Sequence, residues 1–456
     1  MKPCLFLRLA FVFALLTPFL SSNAAQPNIV IFYADDLGWG ELGCQGYTKD
    51  IPTPHIDALA KNGLRFTNGY VAATYCSPSR AGLMTGRYPT RFGHEFNTVA
   101  NTVGLRSDQT TIATRLKTLG YATIAVGKWH LGNQPENLPT KRGFDEFYGT
   151  LNNTPFFHPT NFIDSRISNE VRTVTDPNFY TTDAYADRSI DWIEKNKSKP
   201  WFLYLPFNAQ HAPLQAPKKY LERFPKITDE KRQLFAAMMA SMDDAIGRVV
   251  GKIRALGQEE NTLIFLVSDN GGASPLAEMN GLRGRKWLLW EGGIRVTWLA
   301  QWKGRIPAGR VLETPVIQLD ILPTALAAAG GTPQSEWKLD GTNLLPLLEG
   351  KADKLDRDTL YWRFGVQYAV RQGDWKLVKA GLNQPVQLFN LKDDRTEKDD
   401  LAAKQPEKVK SLQALWDAWN ANNLPPRWED PRWNDGNNKN DPEAAKKKAA
   451  KKKAAK

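Results

Sequence analysis

The chain has 456 residues, of which 42% are hydrophobic and 24% charged. That composition excludes a largely disordered or fibrous protein and leaves room for two domains. The formal net charge of +12 is concentrated at the ends: seven lysines against two acids occupy residues 441–456, and Lys2 and Arg8 lie at the start. The body is therefore only mildly basic, and no nucleic-acid-binding motif accompanies the tail, so nucleic acid is not an expected partner.

Residues 1–25 read as a secretory signal peptide. Lys2 and Arg8 give a positive start, 9–20 is an apolar stretch too short to span a bilayer comfortably, and Ser22, Ala24 and Ala25 supply small residues for cleavage. The protein is expected to be exported, periplasmic or secreted, with no stable membrane span. Cleavage removes Cys4 and leaves Cys44 and Cys76. Two cysteines in an exported chain invite a disulfide; if Cys76 has another fate, Cys44 is a lone thiol.

In chain order, residues 28–34 (Asn-Ile-Val-Ile-Phe-Tyr-Ala) form a continuous apolar run bounded by turn residues, the pattern of a strand buried on both faces. It stops at Asp35-Asp36-Leu37-Gly38. A short helix is expected over 56–62. Next comes Thr74-Tyr75-Cys76-Ser77-Pro78-Ser79-Arg80. Ser77 followed by Pro78 reads as a helix start, a hydroxyl cap and then proline at the first helical position. Cys76 would then lie beside free backbone N–H groups and Arg80, a place suited to an anion. A buried structural cysteine ahead of a helix has the same local pattern.

Residues 109–119 read as a helix closed by Gly120, and 121–126 as a strand running on to Lys128 and His130. The helical stretch 183–195 has Ala186, Ile190 and Ile193 on one face. A third strand, 201–207, leads to His211. A long helix over 228–256 precedes a fourth buried strand, 262–267, which ends in Ser268-Asp269-Asn270. A last helix is expected over 316–329. This alternation specifies an α/β domain over 26–345 with a large, mainly parallel sheet flanked by helices. Beyond Pro346, hairpin strands within 360–378 (Gly373 at a turn), a strand over 387–391 and a helix over 406–420 indicate a smaller C-terminal α+β domain with an antiparallel sheet, 346–425. Residues 426–456 read as a surface segment and a solvated, lysine-rich tail.

Four strands thus end in unusual polar groups, and in an open parallel sheet ligands bind beyond the carboxyl ends of the strands. Asp35, Asp36, Asp269 and Asn270 offer only oxygen ligands, which suits a hard divalent cation, Ca²⁺ before Mg²⁺ because the set is large and all protein. Arg80, Lys128, His130, His211 and Lys286 offer positive charge and proton transfer. A metal with a cluster of cations implies an anionic substrate such as a sulfate or phosphate ester. His55 reads as structural, whereas His94 and His158 sit on polar, aromatic loops as candidate substrate contacts.

On these residues the chain resembles the type I sulfatases, the formylglycine-dependent, arylsulfatase-like family of the alkaline phosphatase superfamily. Cys76-Ser77-Pro78-Ser79-Arg80 with Met84-Thr85-Gly86-Arg87 is similar to its signature. Asp35-Asp36-Leu37-Gly38, Gly127-Lys128-Trp129-His130, His211-Ala212-Pro213, Asp269-Asn270-Gly271-Gly272, and Lys286 with Glu291-Gly292-Gly293 follow the family's order. The resemblance implies an alkaline phosphatase-like sandwich and oxidation of Cys76 to formylglycine by a formylglycine-generating or equivalent maturation enzyme. It also implies a Ca²⁺ site made by Asp35, Asp36, Asp269, Asn270 and an oxygen of the hydrated aldehyde at position 76. In that scheme the metal and Arg80 favour the ionised diol that attacks sulfur. Lys128, Lys286 and His211 grip the sulfate, His211, with help from Lys286, protonates the leaving alcohol, and His130 takes the proton that lets the aldehyde reform. The family places a serine or histidine contact shortly after the segment 144–149; here Asn153 is the candidate for that place.

The long polar loops 88–107 and 151–182 carry aromatic residues and amide donors that suit sugars. With the export signal they point to a sulfated carbohydrate substrate, a polysaccharide or glycosaminoglycan-like glycan, with a 6-sulfated hexosamine or galactose as a candidate unit. Two alternatives are a phosphate or phosphonate ester hydrolase on the same scaffold and a non-catalytic protein that binds sulfated glycans. The complete set of catalytic positions argues against the second.

Overall fold

The structure, a computed structural model, describes residues 26–98, 104–273 and 275–430; the expected signal peptide and the lysine-rich tail lie outside them. The first half runs β1 (Asn28–Ala34), α1 (Pro54–Asn62), β2 (Leu64–Phe66), β3 (Gly69–Tyr70), α2 (Cys76–Thr85), α3 (Ile112–Lys117), β4 (Ala122–Lys128), β5 (Glu146–Thr150), β6 (Phe162–Asp164), α4 (Thr181–Asn196) and β7 (Trp201–Pro206). It continues through α5 (Lys218–Leu221), α6 (Glu230–Ala255), β8 (Thr262–Ser268), α7 (Glu291–Ile294), β9 (Trp298–Gln301), β10 (Arg310–Leu312), β11 (Val316–Ile317), α8 (Ile321–Ala328) and α9 (Leu345–Leu348). The C-terminal unit holds β12 (Thr359–Phe364), β13 (Gln367–Gln372), β14 (Trp375–Lys379), β15 (Gln387–Asn390) and α10 (Pro406–Asn420).

Nine strands form the main sheet in the order β10-β2-β9-β8-β1-β7-β4-β5-β6. Its centre, β8-β1-β7-β4-β5, is parallel throughout, and β6 and β9 run antiparallel to their neighbours. Ile31 at mid-strand pairs with Tyr204 on β7 and Phe265 on β8. Every residue of β1 is buried, as a strand covered by helices on both faces must be. Its side chains alternate between two cores. Ile29, Ile31 and Tyr33 pack with residues of α2, α3, α8 and the C-terminal sheet; Val30, Phe32 and Ala34 pack with α1, α4 and α6. The C-terminal unit is a four-stranded antiparallel sheet, β12-β13-β14-β15, backed by α10.

Several boundaries differ from the sequence expectation, each for a local reason. α3 begins at Ile112 because the Thr111 side chain accepts a bond from Thr114 N and caps it there. Asp229 does the same for α6 through Arg232 N. The helix expected over 316–329 starts only at Ile321: the β-branched pair Val316 and Ile317 extends instead to pair with β3. Ser77 does not cap α2. The helix starts at Cys76 with Tyr75 at the capping position, and the Ser77 hydroxyl is used elsewhere. The small sheet turns at Gly365 as well as at Gly373. After α10 the chain returns along the α/β unit, where Leu424 N bonds Thr90 O, Arg427 N bonds Gly93 O and Trp428 Nε1 bonds Asn97 O. Among the described residues, no helix is long and apolar enough to cross a membrane.

Candidate active site

The parallel ladder continues past the strand ends and sets the acids side by side. Asp269 N donates to Ala34 O and Asp35 N donates to Ala209 O, each at 3.0 Å, and Asp36 N donates to Asp269 Oδ1 at 3.1 Å. Asp36 reaches this position with a left-handed backbone, φ 63°. On β4, Gly127 has φ 133°, and a Cβ there would lie 1.9 Å from Pro206 O of β7. Only glycine permits this approach, which brings Lys128, the last residue of the strand, against the acids. Lys128 Nζ donates to Asp35 Oδ2.

Cys76 enters from the other core. It is the first residue of α2, and all ten residues of that helix are buried. Its sulfur lies 3.0 Å from Lys286 Nζ and 3.6 Å from Asp35 Oδ1. Arg80, one turn further, bonds Asp269 Oδ2 at 3.0 Å and Lys128 O at 2.8 Å and lies 3.4 Å from Asp35 Oδ2. The ring of Tyr33 supports its guanidinium at 5.4 Å. Lys286 also bonds Asp36 Oδ1.

The side chains fit a cation. One ligand atom each from Asp35, Asp36, Cys76 and Asp269 lie within 4.8 Å of one another. Asn270 turns its Nδ2 to Asp36 Oδ1 (2.7 Å) and to Gly271 O (2.9 Å), while its Oδ1 is buried without a hydrogen-bond partner. A buried amide oxygen left over beside three carboxylates completes an all-oxygen set for a hard divalent ion. Burial, and then the neighbouring Asp35, push the Asp269 carboxyl up to about 7. Asp35 itself is held well below the usual range: burial opposes this, but Lys128, His211 and Arg80 prevail.

The remaining groups are arranged for proton transfer. Burial pushes the Cys76 thiol up, against the pull of Lys128 and Lys286, so the encoded side chain is a thiol and a poor nucleophile. Burial, then Lys128 and Arg80, hold His130 neutral, and its Nδ1 has no hydrogen-bond partner. His211 stands at the mouth with 21% of its side chain exposed. Its Nδ1 donates to Ala212 O at 2.6 Å, which leaves Nε2 facing Asn153 Nδ2 at 3.3 Å and Asp36 Oδ2 at 3.8 Å. Burial lowers its basicity, with Asp36 opposing.

Asp35, Asp36, Cys76, Arg80, Lys128, His130, His211, Asp269, Asn270 and Lys286 are therefore together, with Asn153 at the rim. His94 is not at the rim. It is fully buried behind the cysteine turn, 2.7 Å from Ser77 Oγ and packed on Trp428, not on an open loop. His158 is exposed, with Nδ1 near Val174 O. His55 sits at the start of α1, where the Asp243 carboxylate accepts from the backbone N–H of His55 and Ile56, a structural cap. Cys44 and Cys76 are both free, so among the described residues there is no disulfide. Sequence reasoning missed two supports behind the site: Asn97, whose Oδ1 accepts from Ser77 N at 2.9 Å, and Gln367, whose Nε2 donates to Trp287 O at 3.0 Å, have no motif around them, and only tertiary contact reveals them.

Comparison with known proteins finds related chains. The family profile described as Sulfatase matches residues 27–331, and one described as N-sulphoglucosamine sulphohydrolase, C-terminal, matches residues 283–419. The chain is 34% identical over 385 residues to N-acetylgalactosamine-6-sulfatase of Homo sapiens, covering 78% of this chain and 72% of that protein. It is 30% identical over 469 residues to arylsulfatase J of Mus musculus, covering 90% and 78%. A solved structure of Ps i-CgsB in complex with k-i-k-neocarrahexaose superposes with a TM-score of 0.81 at 36% identity, covering 88% of this chain and 94% of the other.

Proposed function

The chain belongs to the sulfatase family and is a sulfuric ester hydrolase; from that premise we propose that it removes sulfate from a sulfated carbohydrate, using a formylglycine made from Cys76 and a Ca²⁺ ion. The observation that carries the proposal is the position of Cys76 Sγ. It marks where an oxygen on the same carbon would stand, at the N-terminus of a buried helix, 3.0 Å from Lys286 Nζ and grouped with three carboxylates.

Asp35, Asp36, Asp269 and Asn270 would hold the cation, and a larger, flexible all-oxygen set favours Ca²⁺ over Mg²⁺. Bound there, Ca²⁺ supplies charge that polarises a sulfate oxygen and offsets the buried acids. The hydrated aldehyde supplies a hydroxyl nucleophile with a second hydroxyl for release.

The chain's own residues do the rest. Lys128 and Lys286 are fixed, buried cations that can orient the sulfate without reorganising during the reaction. Arg80, locked by Asp269 and the Lys128 carbonyl, keeps a positive charge beside position 76. His211 is exposed enough to meet the leaving alcohol and deliver a proton to it. His130, neutral and with a bare Nδ1, can take a proton from position 76. Asn153 orients His211 Nε2 toward the entrance.

The carbohydrate assignment rests on relatives. One is named for N-acetylgalactosamine-6-sulfate hydrolysis, and another is solved with a neocarrahexaose bound. The half-buried Phe157 lies in the loop beside Asn153, backed by the stacked Phe156–Tyr180 pair, which belongs to the core. The proposed export signal and the maturation enzyme that converts Cys76 belong to the same reading. Paired sulfate and phosphate monoesters, followed by a panel of defined sulfated saccharides, test the reaction. Preferred turnover of the phosphate ester would refute it. Mass spectrometry of the peptide carrying Cys76 should show a loss of about 18 Da, thiol to aldehyde; an intact thiol in active enzyme contradicts the proposed nucleophile.

A further inference from the structure

Lys286 lies on no regular element. It sits on the irregular segment between β8 and α7, yet it must present Nζ to Cys76 and Asp36 within hydrogen-bond distance. The next residue, Trp287, adopts a left-handed backbone with φ 73°, a costly state for a bulky side chain that persists only where surrounding contacts impose it. Its indole ring lies 5.5 Å from Lys286 Nζ.

Within the α/β unit Lys286 N donates to Gly272 O at 3.2 Å and Trp287 N to Thr74 O at 3.1 Å; the contacts that follow the lysine come from the C-terminal unit. Gln367, the first residue of β13 and only 4% exposed, spans this turn with both ends of its amide: Nε2 donates to Trp287 O at 3.0 Å, and Oε1 accepts from Leu289 N at 3.3 Å. Two residues on, Glu397 Oε2 accepts from Glu291 N at 2.6 Å, and Lys376 ties Glu291 to Glu397 at 2.9 and 2.8 Å. The turn is thus gripped immediately after the lysine and again at the start of α7.

We propose that Gln367 is a positioning residue for catalysis: its amide clamp on Trp287 and Leu289 holds Lys286 at position 76, so the C-terminal unit completes the active site. The inference rests on the role proposed for Lys286. Gln367 touches neither substrate nor the reacting atoms. Its effect must therefore pass through Lys286 and vanish when the lysine is absent.

The test is a double-mutant cycle on the full-length protein, with Gln367→Ala, Lys286→Ala and the pair. Two readouts are kcat/KM on a sulfate monoester and the affinity for inorganic sulfate by calorimetry, the second independent of Cys76 conversion. Gln367→Ala is expected to lower kcat/KM by about tenfold to a hundredfold, the scale of a small misplacement, and to weaken sulfate binding. In the Lys286→Ala background it should do neither. Gln367→Met keeps the length and the burial but loses both hydrogen bonds; it should match Gln367→Ala in turnover and sulfate affinity while melting closer to wild type, which separates the clamp from bulk packing. Equal losses from Gln367→Ala with and without Lys286 would overturn the inference while leaving the role of Lys286 intact. Unchanged turnover and sulfate affinity in Lys286→Ala alone would overturn both.

Discussion

His94 offers a sharp test of the architecture behind the cysteine turn. The Ser77 hydroxyl has one proton, and it goes to His130 O at 2.7 Å. His94 Nε2, 2.7 Å from the same oxygen, must therefore donate, which leaves Nδ1 as a bare, buried lone pair without a partner. Trp428 closes over the ring at 4.8 Å. A proton on Nδ1 would be an unpaired buried charge. Burial, with a smaller push from Arg427, lowers the His94 value from 6.5 to about 3. Because the folded value lies below the unfolded one, the unfolded chain binds more protons between them, and stability is lost as pH falls through about 6.5 toward 3. At 1.36 kcal/mol per unit, the loss from this one group between pH 7 and pH 5 is about 2 kcal/mol. His94→Gln keeps an N–H for Ser77 but cannot titrate. Wild type and variant should be unfolded in denaturant at pH 7 and at pH 5. The stability of wild type minus that of the variant is expected to fall by about 2 kcal/mol on acidification. A difference that stays constant with pH refutes the burial argument, whatever the absolute stabilities.

Three further outcomes follow from the site. Cys76→Ala is expected to lower kcat by more than about 10⁴-fold without changing the circular dichroism spectrum; residual turnover near wild type would dismiss Cys76 as the nucleophile precursor. Exhaustive chelation should abolish turnover and lower the unfolding temperature, and Ca²⁺ at a hundred times its dissociation constant should return about 2.7 kcal/mol of stability; full activity in metal-free protein contradicts the ligand assignment. Gly127→Ala should cost about 3 kcal/mol or more and lower expression, because its Cβ would strike Pro206 O in a backbone that disfavours any side chain; a melting temperature equal to wild type would show that β4 can shift.

Much of this site was legible because its chemistry sits at strand ends. The β1 run is apolar until it meets Asp35 and Asp36, and β8 until it meets Asp269 and Asn270, so the change of character marks both the carboxyl end of the sheet and the proposed ligands. Short pieces were not legible. β2, β3, β10 and β11 have two or three residues each, too few for a period to show, and only pairing with distant partners makes them strands. On local grounds Ser77 reads as a helix cap. The nearby His130 carbonyl, which accepts its proton, overrides that preference. The residues around His94 read as a loop open to substrate, but the return of Trp428 along this turn buries the ring. Gln367 lies in a strand with no catalytic motif, and its role depends wholly on what β13 docks against.

The alternation along β1 has a consequence for how the protein tolerates change. Ile31 and Phe32 are adjacent in sequence, yet they belong to separate cores on opposite faces of the sheet. Residues that share no partner contribute nearly additively. Substitutions at Ile29 and Ile31 should therefore be epistatic with α2 and α8, and those at Val30 and Phe32 with α4 and α6, with little crosstalk between the sets. The two interiors can be randomised and selected as separate libraries and then combined, and each can drift in evolution without waiting for the other.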